Sequence, residues 1–122
     1  MLNIKIINGN PTTGRLEFEV NGKPGNGNGD VKQNWQVHWM VKPDTPVLSI
    51  VDIQMKTGNG APPSTDIFTE NPPSPQNGDG KHWKAKVDDF APINSDYYYD
   101  IMWESESGVK THDPKISVKP SD

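Results

Sequence analysis

Apolar and polar residues alternate along most of this chain, and a period of two marks strands with one buried face. In LNIKII, Leu2, Ile4 and Ile6 share a face; in GRLEFEV, Leu16, Phe18 and Val20 point one way and Glu17 and Glu19 the other. NWQVHWMV sets Trp35, Val37, Trp39 and Val41 against Gln36, His38 and Met40. VLSIVDIQMK is apolar on both sides, with Val47, Val51, Ile53 and Met55 expected inward and Leu48 and Ile50 outward. KHWKAKV turns Trp83, Ala85 and Val87 inward and its lysines outward. SDYYYDIMWE predicts Tyr97, Tyr99, Ile101 and Trp103 inside, with Tyr98, Asp100, Met102 and Glu104 outside. PKISVKP adds Ile116 and Val118. The count is about seven strands, which suits an all-β, two-sheet antiparallel β-sandwich.

Composition points the same way. Ile and Val total 18 residues against 6 for Leu and Ala, and branching at Cβ favours strands over helices. Gly and Pro contribute 11 and 12 residues, and both interrupt helices. They gather in NGKPGNGNGD (21–30), GNGAPPSTD (58–66) and NPPSPQNGDG (71–80), which read as loops around a short IFTE that could form a small edge strand. None of the three divides the chain, so residues 1–122 are expected to form one domain.

The stretch FAPINSDYYYDIMWE resembles the tyrosine-corner region of fibronectin type III and other immunoglobulin-like sandwiches. There an apolar residue ends one strand, a proline follows in the corner and a tyrosine opens the next strand. Phe90, Pro92 and Tyr97 would fill those places, which implies an immunoglobulin-like fold and carries no function with it. A second resemblance is to bacterial inclusion-body (PixA-type) proteins. Its residues are GNGDVKQNWQVHW, IFTENPPSP, YYYDIMW and the closing DPKISV, in that order. That resemblance implies an intracellular β-sandwich without established catalytic residues.

Several chemistries find no support. The chain has no cysteine, so disulfides, thiolate metal sites and cysteine nucleophiles are out. Net charge is −4, Arg15 is the single arginine and the lysines are scattered, which argues against nucleic acid or an anionic membrane as partner. No apolar run approaches the roughly 20 residues of a membrane span, and MLNIKIINGN lacks the apolar core of a secretory signal, so a cytoplasmic protein is expected. His38, His82 and His112 show no close metal-ligand spacing, although His38 and His112 are expected to share a sheet. Asp100 and Glu104 share an outward strand face with no cleft to make them an acid–base pair. Gly-x-Ser-x-Gly is absent, and GNGNGD lacks the lysine and helix of a phosphate loop and the acidic count of a calcium loop. No catalytic residue, metal or cofactor is expected.

The surface offers a lead. On the immunoglobulin-like arrangement, strands 34–42, 47–56, 97–105 and 114–119 lie side by side. Met40, Leu48, Ile50, Tyr98 and Met102 would then form an apolar outer face, with His38 among them. A solvated strand face should be mostly polar, so this one is expected to bind another protein or a second copy of the chain as a homodimer. The competing expectation is that segment 58–80 folds back and covers it. All four tryptophans read as core, which leaves Tyr98 as a thin platform for sugar stacking. A glycan- or calcium-binding loop site is the alternative function, and a small hydrolase the third.

Overall fold

The structure, a computed structural model, describes residues 1–57, 60, 63–69, 74–76 and 80–120. These residues form eleven strands: β1 (Leu2–Gly9), β2 (Leu16–Val20), β3 (Lys23–Gly25), β4 (Gly29–Val31), β5 (Gln36–Val41), β6 (Ser49–Met55), β7 (Ser74–Gln76), β8 (His82–Lys86), β9 (Asp96–Ser105), β10 (Gly108–His112) and β11 (Lys115–Val118). The expected seven are all present, and β3, β4, β7 and β10 are additions. β3 follows from Asn21-Gly22: both residues have positive φ, 50° and 82°, as a two-residue turn between right-twisted strands requires.

One sheet runs β3-β2-β1-β5-β8-β7. The other is built on β9. β6 pairs along one edge of β9, while β10 and β11 succeed one another along the opposite edge, with β4 outside β11. Two ladders, β1 with β5 and β11 with β4, are parallel; the rest are antiparallel. The all-β two-sheet sandwich is therefore as the alternation indicates, but the neighbours differ. Strand 34–42 does not lie beside 97–105. It pairs with β1 and β8 in the opposite sheet, because the parallel β1–β5 ladder claims it there. His38 and His112 consequently stand on different sheets.

The core is apolar and aromatic. Leu2, Ile4, Ile6, Phe18, Val37, Trp39, Trp83, Tyr97, Tyr99, Ile101, Trp103, Ile116 and Val118 are all buried, and Trp35 is half-buried against them. The Trp39 ring meets Tyr99 and Phe68 edge-on at 5.9 and 6.2 Å, and its indole N–H donates to the Tyr99 hydroxyl at 3.1 Å.

Segment 63–69 closes the seam between the sheets rather than covering a face. Its Thr65 amide donates to the Asp96 carbonyl on one side, while Phe68 bridges Val87 on the other, so Ile67 and Phe68 enter the core. The expectation that 58–80 shields an outer face falls in part on residues 58–59, 61–62, 70–73 and 77–79, outside the described ones.

Three side chains depart from the expected pattern. Ile50 is buried (3 % exposed) and Val51 is 45 % exposed, the reverse of strict alternation. The β6–β9 register passes from Ile50↔Trp103 to Asp52↔Met102, so Val51 is the extra residue of a β-bulge and the inward face resumes at Ile53. Phe90, assigned by resemblance to the corner, is 88 % exposed; Val87 and Ala91 supply the buried apolar contacts there.

Candidate functional site

The six residues expected to share a binding face are not brought together. His38 and Met40 lie on the outer face of the first sheet, on β5 between Asn3 and Lys5 of β1 and Lys84 and His82 of β8. Tyr98 and Met102 lie on the outer face of the second sheet, where Lys115 sits 5.9 Å from the Tyr98 ring. Leu48 is exposed just before β6, and Ile50 is in the core. Asp100, on the Tyr98 face, is held by an ion pair with Lys56 at 2.7 Å.

A different surface gathers polar groups. It is built by loop 10–15, the turn at 26–28 and the corner at 111–114. Asn10 organises the first of these. Its side-chain oxygen accepts the Thr12 and Thr13 amides, its carbonyl accepts the Gly14 amide at 2.8 Å, and its own amide donates to the Arg15 carbonyl at 2.8 Å. Gly14 has φ +82°, which a side chain would strain, and its carbonyl accepts the buried Trp103 indole N–H at 3.0 Å. The loop is thereby fixed to the core, and Arg15 projects from a rigid base.

Two grooves flank Arg15 and share Thr13, Arg15 and Leu16 in their walls. One, of about 640 Å³, continues along Asn8, Asn10, Pro11 and Glu17 to Pro46. The other, of about 370 Å³, continues to Asn26, Asn28, Thr111, His112 and Asp113. In the second groove the Asn26 side-chain oxygen accepts the Asn28 amide at 3.0 Å, and that of Asn28 accepts the Lys115 amide at 2.7 Å. An asparagine whose oxygen is so engaged presents its NH₂ group elsewhere, which fixes the amide orientation. Asn26 and Asn28, their oxygens engaged, thus line the groove together with the Arg15 guanidinium and the Asp113 carboxylate.

His112 closes its floor. Nδ1 accepts the Leu16 amide at 3.2 Å, the ring lies 5.1 Å from that of Phe18, and the Asn26 backbone adjoins the imidazole. Burial holds the imidazole below the usual histidine range and Arg15 adds to this, while the Asn26 bond and Asp113 oppose it. Nδ1 is committed to the Leu16 amide, so His112 clasps β2 to β10.

The sequence pattern did not single out this groove, because its residues lie on three loops that alternation does not describe. The signals available were NPTTGR, with its turn-forming ends and the single arginine, and the turn chemistry of GNGN and HDP. Among the described residues no group of three or more His, Cys, Asp or Glu is placed to hold a metal ion, and no helix is long and apolar enough to cross a membrane. No protein-family model matches the chain, and no curated protein matches it.

Proposed function

We propose that the protein is a non-catalytic binding module whose groove at Arg15 takes an oxygen-rich, carboxylate-bearing ligand, with an acidic saccharide as the best chemical match. The observation that carries this reading is the polar wall: a guanidinium on an anchored loop, beside two asparagines whose oxygens are already engaged, with Asp113 the one carboxylate among the lining residues. A guanidinium grips a carboxylate through two parallel hydrogen bonds, and the amides suit ring and hydroxyl oxygens. With Trp39, Trp83 and Trp103 buried, recognition would rest on hydrogen bonding rather than on stacking. The commitment of His112 Nδ1 to the Leu16 amide supports a binding role over acid–base work in the groove, in keeping with the sandwich without catalytic residues that the PixA-type resemblance implies.

Titration of the protein with an oligogalacturonate and with a neutral oligosaccharide of equal length tests it. Saturable binding of the acidic oligomer, weakened at least tenfold by Arg15→Gln, is expected. Equal binding of the neutral oligomer, or indifference to Arg15→Gln, would overturn it.

A second reading keeps a protein-contact surface on the outer face of the β9 sheet. Val51 and Val109 are half exposed there, and Val109 stands opposite Glu104, two residues along β9 from Met102. Contact between two copies through this face predicts a concentration-dependent dimer in sedimentation that Met102→Lys dissociates; a monomer at all concentrations refutes it.

A further inference from the structure

The outer face of the first sheet carries a pair of histidines that the sequence spacing conceals. β5 and β8 run antiparallel with Met40 opposite His82 and His38 opposite Lys84. His38 and His82 are therefore diagonal neighbours on one face, with ring centres 5.8 Å apart and planes inclined by 37°. Met40 lies on the same face, two residues from His38. All three side chains are half-buried, so they are positioned by their neighbours and still reachable from solvent.

We propose that His38, His82 and Met40 form a surface site for a soft monovalent metal ion, Cu(I). The ring spacing is the first argument. A metal bound at about 2.1 Å by one nitrogen of each imidazole stands roughly 3.2 Å from each ring centre, so the observed separation corresponds to an N–metal–N angle of about 130°. The spacing therefore allows one ion to reach both imidazoles. The donor set is the second argument: two neutral imidazoles and a thioether, with no thiolate or carboxylate among them, suit a soft ion.

Charge is the third argument. Lys84 stands directly opposite His38 and Lys5 directly opposite Met40, and two ammonium groups repel a dication twice as strongly as a monocation. Glu19, opposite Lys5 on β2, is the nearest acidic residue in this row of the sheet and lies one strand beyond β1.

Anaerobic titration of the full chain with Cu(I) in competition with bicinchoninate tests the site, with Zn(II) alone as a parallel arm. One Cu(I) per chain is expected. His38→Gln and His82→Gln should each weaken binding at least tenfold and Met40→Leu by a smaller factor, with melting temperatures within a few degrees of the parent because all three lie outside the core. The imidazole proton resonances of His38 and His82 should move on Cu(I) addition while those of His112 stay. Failure to compete with the chelator, or Cu(I) uptake unchanged in the double variant His38→Gln/His82→Gln, overturns the site. Zn(II) binding tighter than Cu(I) overturns the assignment of the ion.

Discussion

The Leu16 amide donates to Nδ1 of His112 at 3.2 Å across 96 residues of chain, tying the first strand of one sheet's hairpin to the last residue of β10 in the other. The bond requires a neutral ring, and burial lowers the pKa of His112 in the folded protein. A group whose folded-state pKa is lowered binds fewer protons folded than unfolded. Its contribution to stability is complete above the unfolded value of about 6.5 and is lost as the pH falls toward the folded one. His38, also lowered, acts in the same direction. The melting temperature should be level above about pH 7.5 and decline between pH 7 and 5. His112→Gln should lower it at pH 7.5 and flatten the decline; an unchanged slope in that variant would show that His112 is not the group responsible.

Removing the hydroxyl of Tyr99 should be costly although the ring is kept. Trp39 and Tyr99 are both fully buried and their hydrogen bond, at 3.1 Å, satisfies the indole N–H. Burial also pushes the Tyr99 hydroxyl well above the usual tyrosine range, so it remains a neutral hydrogen-bonding group at any working pH. In Tyr99→Phe the indole donor is left without that partner, at a cost of about 1–3 kcal/mol. Urea denaturation should show a lower midpoint with an unchanged slope. A midpoint equal to that of the parent would mean the indole finds another acceptor.

Much of the core was legible because alternation reports which side of a strand a residue occupies. Leu2, Ile4, Ile6, Trp39, Tyr97, Tyr99, Ile101 and Trp103 are buried as the pattern requires. It does not report which strand is the neighbour. The parallel β1–β5 ladder joins residues 2–6 to 37–41, and nothing in either segment distinguishes that partner from β9. This is why the apolar outer face assembled from Met40, Tyr98 and Met102 divides between two sheets. The groove at Arg15 was less legible still, since it depends on loops held by single contacts such as Trp103 to Gly14. The His38–His82 contact became visible only with the β5–β8 register.

The bulge in β6 makes a sharp prediction about two adjacent β-branched residues. Strict alternation makes Val51 a core residue and Ile50 a surface one, whereas the structure buries Ile50 against the strand carrying Trp103 and exposes Val51. Ile50→Ala should cost about 2–5 kcal/mol, as cavity-forming changes do. Val51→Thr should stay within about 0.5 kcal/mol of the parent. Equilibrium denaturation of the two variants distinguishes the registers, and the opposite ranking would place the bulge elsewhere.

The loop that carries Arg15 depends on Gly14 for two separate reasons, and a pair of glycine variants separates them. Gly14 and Gly22 share the same φ of +82°, so an alanine at either position meets the same backbone penalty, about 1–2 kcal/mol. Their surroundings differ. A Cβ on Gly22 has nothing within 4 Å, whereas one on Gly14 would stand 3.0 Å from the Thr111 carbonyl oxygen, a backbone atom that cannot rotate aside. Gly14→Ala should therefore destabilise more than Gly22→Ala, and the surplus measures the contact between loop 10–15 and β10. That displacement would also strain the bond from the Trp103 indole to the Gly14 carbonyl, so the tryptophan fluorescence of the folded Gly14→Ala protein should change while that of Gly22→Ala does not. Equal losses of stability in the two variants would mean that the loop moves freely over β10, and an Arg15 on such a loop would lack the fixed aim that the groove requires.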